Sequence, residues 1–206
     1  MDRSNFIKIY NSKFYENSTV VNCLCGSTKH KKLFAEDRFG LLSPTVVCKV
    51  CGMVYTSPRP TENFMRNFYE SDEYYGFYAN RENKVNRKAF FDEIFLDEML
   101  IGNNFKIKRS FKYISHMTRP KIFEFGAGGG WNLIPFKSEC DVFGIEYSPD
   151  LCLLGSENGI NLIQGGFERI GDLTSKFDLI IVNHVIEHIF DFKENMRLLI
   201  GKMKLD

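Results

Sequence analysis

The chain has 206 residues, enough for one large domain or for a medium domain together with a small one. Its hydrophobic fraction of 44% allows a proper core, and its net charge of +1 argues against nucleic acid as a main partner. No segment approaches the roughly 20 apolar residues of a membrane span, and the N-terminus has no apolar stretch of signal-peptide length. We therefore expect a cytoplasmic protein whose cysteines are metal ligands or buried thiols rather than disulfides.

Two cysteine pairs stand out in the first 60 residues, after a polar stretch (1–20) that we expect to have weak structure at best. Cys23 and Cys25 form a C-x-C pair, and Cys48 and Cys51 form a C-x-x-C pair followed by glycine. Two pairs of thiolates at this separation favour a tetrahedral structural zinc site. C-x-C is tighter than the usual spacing, and free buried thiols are the alternative.

The residues around and after the second pair predict short elements. Val46 to Tyr55 indicates a hairpin strand, and Thr61 is a helix-cap candidate for a helix over 61–70. His30 is expected to be a surface loop residue, although it could replace a zinc ligand.

An aromatic-rich stretch follows. Glu70 to Tyr78 contains four aromatic residues, Tyr75 and Tyr78 among them, which either pack in a core or overhang a pocket. Apolar residues at helical spacing predict two helices, at about 83–101 and about 104–116.

The period changes after Pro120, where short apolar runs alternate with helical patterns. Ser148 followed by Pro149 is a cap followed by proline at the first helical position. Such alternation predicts an α/β fold with a parallel, Rossmann-like sheet and right-handed crossovers. The predicted strands are 121–126, 141–147, 160–164 and 177–183, and the predicted helices are near 130–138, over 149–158 and from about Asp191.

The first of these strands ends in a glycine-rich loop with the pattern Glu124-x-Gly126-x-Gly128-x-Gly130. Glycine is expected there for positive φ and for close approach of a ligand to the backbone. A dinucleotide fingerprint would need glycine at the position of Trp131, so the loop indicates another kind of nucleoside site.

The other strand ends carry polar candidates, and ligands of open parallel sheets bind at this edge. Glu146 could accept hydrogen bonds from a ribose diol, and the Gly166–Phe167 turn could hold a purine. The segment from Asn183 to His188 ends the last strand. Singly, each has a plain alternative: a solvated rim carboxylate, an ordinary turn, or a cap for the next helix.

Together, the four strand ends resemble class I S-adenosylmethionine-dependent methyltransferases over about residues 115–200. The resemblance implies that the glycine motif wraps the methionine part of the cofactor, that Glu146 holds the ribose and that Tyr147 lies beside the adenine. The implied cofactor-binding residues are Glu124, Gly126, Ala127, Gly128, Gly130, Trp131, Glu146, Tyr147, Gly166, Phe167, Asn183 and His184.

The N-terminal part is similar to the zinc-binding front domain of sugar C-methyltransferases. This implies C- or O-methylation of a small metabolite, such as a nucleotide-linked sugar or a keto compound. It also implies that a base removes a proton next to the keto group, and the residues placed near that substrate are His184, Tyr75 and Tyr78. Cys140 and Cys152, in the sheet domain, are expected to be ordinary buried thiols.

The expected organisation is a zinc module (1–60), a helical lid or linker (61–118) and an S-adenosylmethionine-binding domain (119–206). The family's sheet has seven strands, whereas only four are predicted here, which would leave the fourth as a long apolar edge. We expect a fragment, half of a split enzyme, or a domain that a partner chain or self-association completes. A non-catalytic zinc- and nucleoside-binding module is the alternative function.

Overall fold

The computed structural model describes residues 3–71 and 112–204, in two compact units that divide between Val85 and Asn86. Tyr75, Tyr78 and the predicted helix at 83–101 lie outside the described residues, as does most of the helix predicted at 104–116. Within the described ranges, no helix combines the length and the apolar character needed to cross a membrane.

The first unit begins with a helix, α1 (Arg3–Phe14), so the expectation of an irregular N-terminus was wrong. Its aromatic residues recur every fourth position and therefore share one face. That face packs on α2 (Glu62–Glu70), where the Tyr10 ring lies 5.4 Å from Phe64 and 5.5 Å from Phe68 between centroids. The buried residues of α1 are Phe6, Tyr10 and Phe14.

An antiparallel sheet supports the cysteine pairs, with the order β2 (His30–Glu36), β3 (Leu42–Cys48) and β4 (Val54–Thr56). The hairpin predicted around the second pair is confirmed, because β3 and β4 flank it. The two-residue strand β1 (Ser18–Thr19) pairs antiparallel with β5 (Arg59–Pro60). The predicted Thr61 cap of α2 is also confirmed, since its hydroxyl accepts a hydrogen bond from the Phe64 N–H at 3.3 Å.

The second unit contains the predicted parallel Rossmann-like sheet, with strand order β8-β7-β6-β9. Successive residues of β6 point to opposite faces, so Ile122 enters one apolar cluster while Phe123 and Phe125 enter the other. The strands are β6 (Lys121–Phe125), β7 (Asp141–Glu146), β8 (Asn161–Gln164) and β9 (Leu179–Ile181).

The connections differ in one place from the prediction. No α-helix forms near 130–138; instead a 3₁₀ turn covers Ile134–Phe136, because Pro135 has no N–H to continue a helical ladder. The helix predicted from Ser148 is confirmed as α3 (Pro149–Glu157), with the Ser148 hydroxyl accepting from the Leu151 N–H. The last helix, α4 (Phe192–Ile200), follows Asp191 as expected.

The outer side of β9 begins to pair at its N-terminal end. The Phe177 N–H donates to the Lys202 carbonyl at 2.8 Å, and the Lys204 N–H donates to the Phe177 carbonyl at 2.9 Å. These bonds form a parallel bridge between Phe177 and Met203. Across the part of the chain that the structure describes, β9 itself pairs only with β6.

Candidate functional site

The glycine loop lies at the carboxyl end of β6 and is tied to the end of β7. Gly126, Gly128 and Gly130 have φ values of +70°, +56° and +80°, which explains glycine at each of them. The Gly126 and Ala127 N–H groups both donate to the Ile145 carbonyl, at 2.9 and 3.0 Å. Ala127 is only 1% exposed as a whole residue and belongs to the same apolar cluster as Ile122.

The space that a Cβ would occupy at these glycines is filled by side chains of the chain itself. At Gly126 the nearest atoms belong to Val185, at Gly128 to the Trp131 indole, and at Gly130 to Ile160, all at 2.9 Å or less for the first contact. The loop is therefore a packing junction as well as a bend. The predicted approach of a ligand to its backbone stays a prediction.

Glu124, on β6, is fully buried. One carboxylate oxygen accepts a 2.7 Å hydrogen bond from the Asn132 amide, and the other, Oε2, has no hydrogen-bond partner. The pKa of this carboxyl is raised to about 8, mainly by burial and also by the nearby Glu146 charge, while the Asn132 hydrogen bond offsets part of the rise. Nothing in the sequence pattern pointed to Asn132 as its partner.

Glu146, at the end of β7, binds two backbone N–H groups. Its Oε2 accepts from Gly128 and its Oε1 from Ser148, both at 2.9 Å. Burial raises the pKa of this carboxyl, while these hydrogen bonds lower it. A carboxylate has about four lone-pair sites. The Tyr147 backbone N–H also interacts with this carboxylate, which can therefore hold the glycine loop and still accept a hydrogen bond from a ligand.

The predicted purine position lies between the ends of β7 and β8. A Cβ at Gly166 would stand 1.9 Å from the Tyr147 hydroxyl, so the tyrosine lies directly on this glycine. Phe167 instead stacks on Phe125, with ring centroids 4.0 Å apart, and belongs to the apolar cluster below. The structure thus brings Tyr147 and Gly166 together and turns Phe167 toward the core.

The segment after β9 carries Asn183 and the exposed His184, whose φ of +55° is unusual for a residue other than glycine. Val185 follows and packs on Gly126. Glu187 and His188 lie in a 3₁₀ turn, Ile186–His188, ahead of α4. The contact through Val185 had no counterpart in the sequence analysis, because a single valine carries no pattern.

The four N-terminal cysteines converge in the first unit. Their Sγ atoms all lie within 4.8 Å of one another, with Cys23 and Cys51 3.4 Å apart and Cys25 and Cys48 3.7 Å apart. Backbone N–H groups of Cys51 and Val50 lower the pKa of the Cys48 thiol to about 6.

Two further sequence expectations concern residues near these thiols and in the sheet domain. His30 starts β2 and directs its Nδ1 to the Tyr55 hydroxyl at 3.5 Å, outside the cluster of thiols. Cys140 is buried, whereas Cys152 is partly exposed and contacts the Glu146 carbonyl through its thiol.

Comparison with known proteins identifies the family. A family model described as a methyltransferase domain matches residues 90–204, more than half of the chain. The chain belongs to this methyltransferase family. No curated protein matches it in sequence.

The chain is similar to several solved structures, of which three are described in turn. Magnesium protoporphyrin IX methyltransferase from Synechocystis PCC 6803, with bound SAH, is 12% identical, with 70% of this chain and 68% of that chain covered and a TM-score of 0.48. DesVI from Streptomyces venezuelae is 16% identical (59% and 55% covered, TM-score 0.46). YcgJ from Bacillus subtilis is 19% identical (50% and 47% covered, TM-score 0.44), so the chain spans about half of that protein's length.

Proposed function

We propose that the chain is an S-adenosylmethionine-dependent methyltransferase that acts on a small metabolite. The observation that carries the proposal is the Glu146 carboxylate, which holds the glycine loop through the Gly128 N–H and retains acceptor capacity for a ligand hydroxyl. It lies at the carboxyl edge of the parallel sheet, where such folds bind nucleosides. Family membership over residues 90–204 supports the same reaction class.

The residues present fit this cofactor. Glu146 would hold the ribose hydroxyls, and the loop at Gly126 to Gly130 would face the methionine part. The unpartnered Oε2 of buried Glu124 offers a further polar atom beneath the loop. When bound, S-adenosylmethionine supplies an electrophilic methyl group on a sulfonium.

For the acceptor, we propose a nucleotide-linked sugar or another keto compound, methylated at carbon or oxygen. His184 is exposed beyond the carboxyl end of β9, at the same edge of the sheet as Glu146. In C-methylation its imidazole would take a proton from the carbon next to the ketone, and the electron pair of that C–H bond would form the enolate. Tyr75 and Tyr78 stay proposed substrate neighbours on the basis of the family resemblance.

Proton removal can be followed without the methyl donor. In D₂O, the protein should exchange the proton next to the ketone of a nucleotide-linked keto sugar, as seen by NMR. His184→Gln should slow exchange by about a hundredfold or more, while His116→Gln, at an exposed position in the same unit, should not. Failure of wild-type protein to exchange the proton, together with no methylated product by mass spectrometry after S-adenosylmethionine is added, would contradict this acceptor class.

The alternative function is a non-catalytic zinc- and nucleoside-binding module, or one half of a split enzyme. It is favoured by the fact that only four strands of the parallel sheet lie within the described residues. Turnover of any acceptor by the isolated chain would exclude the non-catalytic version.

We also propose a structural zinc ion in the first unit, bound by Cys23, Cys25, Cys48 and Cys51. In a tetrahedral site with Zn–S bonds of about 2.3 Å, the sulfurs lie about 3.8 Å apart. The observed separations of 3.4 and 3.7 Å are close to that geometry. The two buried and two exposed thiols converge on one point without forming disulfides.

Elemental analysis tests the zinc proposal. Purified protein should contain about one zinc per chain, and Cys51→Ser should lower the content severalfold. Cys140→Ser, which alters a buried thiol of the other unit, should leave the metal content unchanged. Metal-free wild-type protein that retains its fold would contradict the site.

A further inference from the structure

One side-chain contact joins the glycine loop to the segment that carries His184. A Cβ placed on Gly126 would lie 2.4 Å from Val185 Cγ2 and 3.5 Å from both Val185 Cβ and Cγ1. These three atoms are the nearest, so the valine fills the space that glycine leaves. The loop after β6 and the segment after β9 therefore contact each other through Gly126 and Val185.

The glycine side of the contact is held firmly. Gly126 has a φ of +70°, and its N–H donates to the Ile145 carbonyl at 2.9 Å, as does the neighbouring Ala127 N–H at 3.0 Å. A side chain at this position would be strained by the backbone conformation and would also displace Val185.

The valine side is held as well, and it fixes His184. Val185 is half-buried against the apolar cluster that includes Phe125, and its carbonyl accepts from the His188 N–H at 2.8 Å. His184 itself is in the left-handed region at φ +55°, a conformation that non-glycine residues keep only where neighbouring structure imposes it. Val185, the residue after His184, packs on Gly126 and so anchors the chain next to this strained position.

We propose that Val185 is a positioning residue that sets His184 relative to the methyl-donor loop. The inference rests on the proposed function, since it assigns His184 to the acceptor side and the loop to the cofactor side. Loop conformation and His184 position are then coupled through the van der Waals contact between Gly126 and Val185. Valine suits this role because its branched side chain is restricted at χ1.

A double-mutant cycle measures the coupling, with S-adenosylhomocysteine as the calorimetric probe. Gly126→Ala should weaken binding by about tenfold. Adding Val185→Ala should restore affinity by about threefold, because it makes room for the new methyl group while the strain of the positive φ stays. Val182→Ala is the matched control, because Val182 is another half-buried valine of the same cluster. In the Gly126→Ala background it should recover nothing.

The NMR chemical shifts of the His184 imidazole report on its position, and they distinguish a positioning role for Val185 from a general contribution to stability. Its imidazole NMR resonances, assigned with His184→Gln, should shift in ligand-free Gly126→Ala and in Val185→Ala, while those of His30 in the other unit stay unchanged. Equal recovery by Val182→Ala, or unshifted His184 resonances in Val185→Ala, would overturn the proposal. If wild-type protein fails to bind the probe, the proposed function fails, and the ligand-free resonances still decide the coupling.

Discussion

At the scale of single residues, the buried Glu124 makes stability depend on pH. Its folded pKa is raised from 4.5 to about 8, so between these values the folded state keeps a proton that the unfolded state has released. Raising the pH through this window therefore lowers the free energy of unfolding, by up to about 1.4 kcal/mol per pH unit. Below the window the contribution is fully present, and above about pH 8 it is lost.

This dependence can be measured in the second unit alone. The only tryptophan, Trp131, lies there, so its fluorescence in urea reports on that unit. Between pH 5.5 and 7.5, the free energy of unfolding of wild-type protein should fall by about 2 kcal/mol more than that of Glu124→Gln, since glutamine carries no proton to release. Parallel pH profiles for the two proteins would show that Glu124 ionises normally in the fold.

At the scale of elements, α1 owes its stability to one aromatic face. Phe14 is fully buried, so Phe14→Ala should destabilise the helix by about 3 kcal/mol, equivalent to roughly hundredfold faster amide exchange. Lys13→Ala, next to it and exposed, should change exchange little. Mass spectrometry of peptides covering α1 and α2 checks this, and unchanged exchange in Phe14→Ala would mean that burial of this aromatic face does not stabilise the helix.

The same elements show what the sequence could reveal. The strands β6 to β8 and helix α3 were predictable because apolar runs and the Ser148–Pro149 cap are local patterns. Helix α1 was missed because three aromatic residues among polar ones form a face only once α2 lies beside them. The turn at Ile134–Phe136 was missed because helical spacing outweighed the effect of one proline.

The candidate site was predictable to a similar degree. Glu146 and the glycines follow from their positions at strand ends, which are read directly along the chain. The partners Asn132 and Val185, and the turn of Phe167 toward Phe125, depend on contacts between residues distant in sequence. Such contacts have no local pattern, so they required the structure.

At the scale of the whole molecule, the outer edge of β9 presents backbone N–H and C=O groups that can pair with another strand. Among the described residues, pairing on this side is limited to the bridge between Phe177, just before β9, and Met203. We propose that a partner chain or a second copy covers this edge. Light scattering across a range of concentrations should show a mass above 23.9 kDa if the chain self-associates, whereas a constant monomer mass would leave only a different partner chain.

The central claim is that Glu146 and the glycine loop form a methyl-donor site, and calorimetric titration with S-adenosylhomocysteine tests it most directly. The account predicts one binding site per chain, with affinity reduced about tenfold or more in Glu146→Ala, because hydrogen bonds to a carboxylate are lost. Glu157→Ala, at an exposed position at the end of α3, should bind as wild type does. Folded wild-type protein that releases no heat, or undiminished binding by folded Glu146→Ala, would contradict the account.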